Sequence, residues 1–143
     1  MKLLAVALSL TGITLGACGL AFAQGAAPFA QDQITTGKSQ FEQNCAACHG
    51  VNLSGPSAPP LAGKAFLGRW TGQTTADLYT FIKKTMPMCE GGSLGNAAYA
   101  DLVAYLLWAN GAEPGKDEFD GSASVNIGSI VTGTTRPEVT AAK

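Results

Sequence analysis

Charge is scarce in this chain. Of its 143 residues, 9 are Lys or Arg and 10 are Asp or Glu, giving 13% charged residues and a formal net charge of −1. No run of lysines or basic stripe supplies the phosphate neutralisation that nucleic-acid binding needs, so nucleic acid is not an expected partner. Histidine occurs once, at position 49, which excludes any centre that takes two imidazoles from one chain. Cysteine is rare as well. Of the four, Cys18 lies in an apolar N-terminal run, and the remaining Cys45, Cys48 and Cys89 are an odd set that cannot all pair in a disulfide framework. Strand-like alternation is confined to Val125–Val131, and no internal repeat is visible. The length allows one domain of ordinary size and excludes two well-packed ones. With 46% hydrophobic residues and 18 glycines, the composition is that of a globular chain with long loops, neither a polyelectrolyte nor a coiled coil.

The N-terminus reads as a targeting segment. Met1-Lys2 is a short positive start, Leu3 to Leu20 is apolar apart from Ser9, Thr11 and Thr14, and Ala21-Phe22-Ala23 precedes Gln24. This is the pattern of a secretory signal peptide over residues 1–23, cleaved after Ala23, and it predicts export to the periplasm. A permanent membrane helix is the rival, but the run is barely long enough to span a bilayer and ends in a cleavage site. A second alternative is a lipoprotein box at Leu15-Gly16-Ala17-Cys18, in which Cys18 is acylated and holds the protein at a membrane. Residues 24–34 and 112–143 are rich in Gly, Ala, Ser, Thr and Pro. They are expected to form an N-terminal extension and a flexible C-terminal tail around a compact body over 35–111. So small a body usually recruits a disulfide, metal or cofactor to complete its core.

Cys45-Ala46-Ala47-Cys48-His49 supplies such a staple, because C-x-x-C-H is the attachment signature of c-type haem. On a helix, positions i and i+3 bring two thiols to one face, where each can form a thioether with a haem vinyl group, and the histidine emerges beside them to reach the iron. Two other chemistries use the same residue types. Thioredoxin-like redox work needs a βαβ context, and no strand pattern precedes Cys45. A zinc site on Cys45, Cys48, His49 and Cys89 lacks a second C-x-x-C knuckle, and adjacent Cys48 and His49 are awkward tetrahedral partners. With one histidine, a second axial ligand must come from another residue type. Met86 and Met88 are the candidates. Pro87 ends the preceding helix and holds Met86 in an extended conformation that projects its side chain, which favours Met86. Met88 reads as a packing methionine.

Three amphipathic helices are expected. Gly37, Phe41, Cys45 and Cys48 share one face of the first, behind a Thr35 or Thr36 cap. Thr74 or Thr75 caps a second, with Asp77 in its first turn, an apolar face at Leu78, Phe81 and Ile82, and a stop at Pro87. The third starts near Gly95-Asn96, carries Ala98, Leu102, Tyr105 and Ala109 on one face, and ends at Asn110-Gly111. Gly50 to Gly63 is a loop.

In order along the chain, CAACH, Ala58-Pro59-Pro60-Leu61-Ala62-Gly63, Thr85-Met86-Pro87 and Tyr99-Ala100-Asp101-Leu102-Val103-Ala104-Tyr105-Leu106 resemble a class I monohaem cytochrome c over residues 35–111. The stretch from Gly92 to Gly111 is especially similar to cytochrome c domains and small cytochromes that accept electrons from quinoprotein (PQQ) dehydrogenases. The resemblance implies an all-α fold, with three main helices and long loops wrapped around one haem c bound covalently through Cys45 and Cys48. It implies that Gly37 and Phe41 cross Leu102 and Tyr105, that the Pro59 carbonyl accepts a hydrogen bond from His49, that Met86 is the sixth ligand, and that Trp70 is an indole near a haem propionate. The implied function is outer-sphere electron transfer on a His/Met haem, from a dehydrogenase towards a terminal oxidase or another cytochrome, without catalysis of its own. Two alternatives stay open: a haem protein with a free sixth position acting as an enzyme or gas binder, and a wiring subunit of a membrane complex. Cys89 is either a tolerated half-buried thiol or half of an intermolecular bridge.

Overall fold

The computed structural model describes residues 26–142, so the expected signal peptide and Cys18 lie outside the described residues. Within them the chain is helical: α1 (Gln31–Asn44), α2 (Ala46–His49), α3 (Lys64–Trp70), α4 (Thr75–Thr85), α5 (Asn96–Ala109), a 3-10 turn (Ile127–Ser129) and α6 (Pro137–Thr140). Among the described residues no strand forms, and Thr74 and Asn126 make an isolated bridge.

The central packing is the crossing of α1 and α5. Gln33, Ile34, Gly37 and Phe41 form the buried face of α1, whereas α5 is buried almost all round. Gly37 is required at the crossing, because a Cβ there would collide with the Asp101 carbonyl of α5. One turn on, Phe41 meets Tyr105 with ring centroids 5.5 Å apart. The crossing implied by the family resemblance is thus present. The α4 helix is capped reciprocally: the Asp77 carboxylate accepts from the Thr74 N–H at 2.9 Å and from its hydroxyl at 2.7 Å, and Thr74 Oγ1 accepts from the Asp77 N–H at 3.2 Å. These bonds hold the Asp77 carboxyl below its usual range. At the other end the helix stops at Met86, whose backbone is extended (φ −127°, ψ 148°) as the following proline demands.

Three expectations are corrected. The first helix is not continuous through the cysteines; it starts earlier, at Gln31, and breaks at Cys45 (φ −128°, ψ −31°) before the short α2. A further helix, α3, forms where none is expected, behind Gly63 at φ 66°. The segments flanking 35–111 are neither an extension nor a flexible tail. Ala27 and Phe29 are buried, as are Phe119, Ile127, Ile130, Val131 and Val139. The Ala27 N–H donates to Glu113 O at 3.0 Å and the Gly115 N–H to Phe29 O at 2.8 Å, pairing the two flanks. The Gln33 amide then ties three segments together: its Nε2 donates to Asp101 Oδ1 at 3.0 Å and to Phe119 O at 2.9 Å, and its Oε1 accepts the Phe119 N–H at 2.7 Å. Arg136 Nε donates to Trp108 O at 2.9 Å while its guanidinium lies over the Trp108 ring. The physical reason is burial: the flanks carry widely spaced large apolar residues that join the common core, Phe119 edge-on against Tyr79 of α4 and the Ile127–Ser129 turn against α3.

Candidate functional site

A cavity of about 650 Å³ opens between α2, the Gly50–Gly63 loop, α3, α4 and α5. Cys45, Cys48, His49, Pro59, Trp70, Met86 and Met88 all line it, so the structure brings together every residue singled out for cofactor binding. Phe41, Phe66, Leu78, Phe81, Ile82, Leu102 and Leu106 supply an apolar wall, and Arg69 is the one charged side chain on the lining among the described residues.

The break at Cys45 lets the pentapeptide turn as a unit. The His49 N–H donates to Cys45 O at 3.0 Å and the Cys48 N–H to the same oxygen at 3.2 Å. Both cysteines are free thiols, Cys48 exposed and Cys45 half-buried. Burial pushes the Cys45 thiol, before any thioether forms, up to about 11.

His49 is buried, and its Nδ1 stands 3.0 Å from the Pro59 carbonyl oxygen. A carbonyl only accepts, so Nδ1 carries the proton and the Nε2 lone pair is left for a metal. The loop that brings Pro59 there is folded onto the pentapeptide. The Gly55 N–H donates to His49 O at 2.8 Å, the Ser57 N–H to Cys48 O at 3.1 Å, and the Leu61 N–H to Leu53 O at 2.9 Å. Gly55, at φ 70°, sits where any Cβ would strike the Ala58 carbonyl.

The two methionines differ. Met86 is half-buried against the core, its N–H donates to Ile82 O at 2.8 Å, and its carbonyl accepts from the buried Tyr99 hydroxyl at 2.8 Å. Tyr99 Oη also accepts the Leu94 N–H at 3.3 Å, closing the loop that carries both methionines. Met88, also on the cavity lining, is 77% exposed. Cys89 is exposed at φ 71°, which sets aside the half-buried thiol. Trp70 is buried, packed edge-on against Phe81 at 5.3 Å, with the Arg69 guanidinium over both rings.

The donor set fits a haem c: two thiols, one imidazole of fixed tautomer and a thioether converge on one largely hydrocarbon cavity of cofactor size. The family model for cytochrome c oxidase, cbb3-type, subunit III matches residues 32–106, from the first turn of α1 to the third turn of α5. The chain belongs to this cytochrome c family. Membership implies haem c as the cofactor and an electron-transfer role. Among curated proteins, this cytochrome is 33% identical to the thiosulfate dehydrogenase of Stutzerimonas stutzeri over 95 residues, 62% of this chain and 31% of that protein. It is 42% identical over 60 residues to the cbb3-type cytochrome c oxidase subunit CcoP of Azospirillum brasilense, 41% of this chain and 19% of that one. The chain therefore spans a third or less of the relatives it matches. A solved structure, the sulfane dehydrogenase SoxCD from Paracoccus pantotrophus, aligns at 24% identity with a TM-score of 0.48, over 83% of this chain and 63% of that chain.

Sequence reasoning missed Tyr99 and Asn110. Tyr99 carries a local signal, since a tyrosine inside an apolar helix needs a partner for its hydroxyl. Asn110 reads as a helix end only, yet it is fully buried and bonded to the loop that carries Pro59.

Proposed function

We propose that the chain is an exported one-electron carrier with a single haem c, bound through thioethers of Cys45 and Cys48 and ligated by His49 and Met86. The observation that carries this reading is the His49 Nδ1–Pro59 contact of 3.0 Å beside both thiols, because it prepares an imidazole for a metal and nothing else in the cavity needs it. When bound, haem c supplies a one-electron couple. The chain's own residues set its properties. Pro59 orients the imidazole and increases its basicity. The Met86 thioether, a soft ligand, favours the reduced state, and the apolar wall does the same by keeping water from the buried charge. The Tyr99 bond to the Met86 carbonyl holds that ligand on its loop, and Trp70 and Arg69, stacked together on the lining, would be the residues available to the carboxylates of the group.

With His49 and Met86 both holding the iron, the group would offer no open site for substrate, and electrons would pass from protein to protein. The donor is a dehydrogenase, a quinoprotein enzyme on the resemblance of the Gly92–Gly111 stretch, and the acceptor is an oxidase chain or another cytochrome. The periplasm is the site of action on the strength of the signal-peptide pattern, with a lipid anchor only if Cys18 is acylated. No helix among the described residues is long and apolar enough to cross a membrane. The likeness to a thiosulfate dehydrogenase supports a second reading, in which the chain is the cytochrome subunit of such an enzyme. Purification from the periplasm decides. The carrier reading expects a c-type α-band in the reduced-minus-oxidised spectrum, and a mass increase of one haem that survives denaturation. Absence of that band would overturn it, and a dehydrogenase that co-purifies with the chain would favour the subunit reading.

A further inference from the structure

Asn110 follows the last turn of α5, is fully buried, and has every side-chain hydrogen-bonding group engaged. One Nδ2 proton goes to Leu106 O at 2.9 Å, within its own helix. The other goes to Leu61 O at 3.0 Å, and Oδ1 accepts the Gly63 N–H at 2.9 Å. The amide orientation follows from the partners, since a flipped amide would set its oxygen against two carbonyls. Ending α5 does not require this arrangement. The backbone closes the helix by itself, with the Gly111 N–H on Trp108 O at 2.9 Å, the Ala112 N–H on Leu107 O at 3.1 Å, and Gly111 at φ 93°. Two of the three side-chain bonds thus serve the loop.

We infer that Asn110 is a positioning residue for the His49 imidazole, acting through the loop from Pro59 to Gly63. The inference rests on His49 being an iron ligand. The Pro59 carbonyl lies on a segment held at both ends. Upstream, Ser57 is bonded to Cys48 at 3.1 Å; downstream, Leu61 and Gly63 are bonded to Asn110. The downstream clamp is what ties this segment to α5. Without it, a carbonyl and an N–H lose their partners, and the cheapest remedy is for the loop to move towards water, taking the Pro59 oxygen away from Nδ1. The Asn110 carbonyl also accepts the Gly133 N–H at 3.1 Å, so the C-terminal segment bears on the same clamp.

The test uses the full-length holoprotein and three variants. Asn110→Leu removes all three side-chain bonds with little change of volume. Asn110→Ser keeps a hydroxyl that can bond Leu106 O one turn back but does not reach the loop. Gln33→Leu removes another buried, fully bonded amide with no contact to the loop, as a control for general loosening. The readouts are deuterium exchange of the His49 Nδ1 proton, followed by NMR of the reduced protein, and the midpoint potential. Both Asn110 variants are expected to exchange about tenfold faster than wild type and to have a raised potential, because a weaker Nδ1 bond makes the imidazole a poorer donor to the oxidised iron. Gln33→Leu is expected to lower Tm while leaving exchange and potential at wild-type values. Wild-type exchange and potential in Asn110→Ser, or equal changes in Gln33→Leu, would overturn the inference; if Asn110→Leu does not accumulate, Asn110→Ser decides. A wild-type spectrum without an axial imidazole would instead defeat the ligation reading.

Discussion

A single residue, Pro87, separates Met86 from Met88, and the two side chains stand in different surroundings. Met86 is half-buried with N–H and carbonyl both bonded, whereas Met88 is 77% exposed. Met86→Ala is therefore expected to abolish the weak sulfur-to-iron charge-transfer band of the oxidised protein, and Met88→Ala to leave it in place; the reverse pattern would transfer the ligand role to Met88. A second prediction concerns Asp101, whose carboxyl is raised above its usual range, chiefly by burial and further by Glu118, although the Gln33 bond opposes this. A carboxyl with a raised pKa in the fold favours the folded state below its unfolded pKa, and that contribution is lost as pH rises through the folded pKa. Asp101→Asn keeps an oxygen for Gln33 and removes the titration. It should raise Tm near neutrality, with the gain fading in acid, which thermal unfolding across pH checks. At this scale the sequence was legible where chemistry is local: the thiols and imidazole of 45–49 fall in one pentapeptide, and the Met-Pro rule follows from neighbouring residues. Asn110 was hidden because its loop partner Gly63 lies 47 residues away, beyond what any periodicity reports.

Helix α1 meets α5 at a glycine, and this contact positions the cavity wall formed by Phe41, Leu102 and Leu106. Gly37→Ala places a methyl group against the Asp101 carbonyl, which cannot retreat without moving α5. It should cost about 3 kcal/mol in chemical denaturation, at the upper end of ordinary overpacking. The helices themselves were legible to different degrees. The α4 limits follow from Thr74, Asp77 and Pro87, each a strong stop or start signal. The break at Cys45 and the whole of α3 were not legible, since α3 is short, contains Gly68 and lacks a side-chain cap; tertiary burial of Phe66 and Trp70 holds it. The segment after Gly111 shows the same limit. Apart from the alternation at Val125–Val131, which folds into a 3-10 turn and not a strand, its buried residues follow no regular spacing, so only the folded core shows that Phe119, Ile127 and Val139 are covered. Truncation after Gly111 is accordingly expected to lower Tm sharply and reduce the yield of holoprotein; an unchanged Tm would mean that these contacts contribute nothing.

For the whole molecule, membership of the cytochrome c family joins a cavity walled by hydrocarbon to a chain with little charge. Arg69 is the single charged residue on the lining among the described residues, a low-dielectric setting that favours a metal centre of low net charge. The fold class was legible from the ordered motifs because each marks one wall of a single cavity: the pentapeptide, the proline loop, the Met-Pro turn and the aromatic face of the last helix. The extent of the body was not, since its flanks pack without a pattern. The central proposal is that His49 and Met86 both ligate the iron, which would make this protein a carrier with no site for substrate. Carbon monoxide binding to the reduced, full-length native protein at neutral pH tests it most directly. The account predicts that the spectrum of the reduced protein stays unchanged on mixing with carbon monoxide. A rapid shift to a carbon monoxide complex would contradict it and would identify a haem protein with an open sixth position.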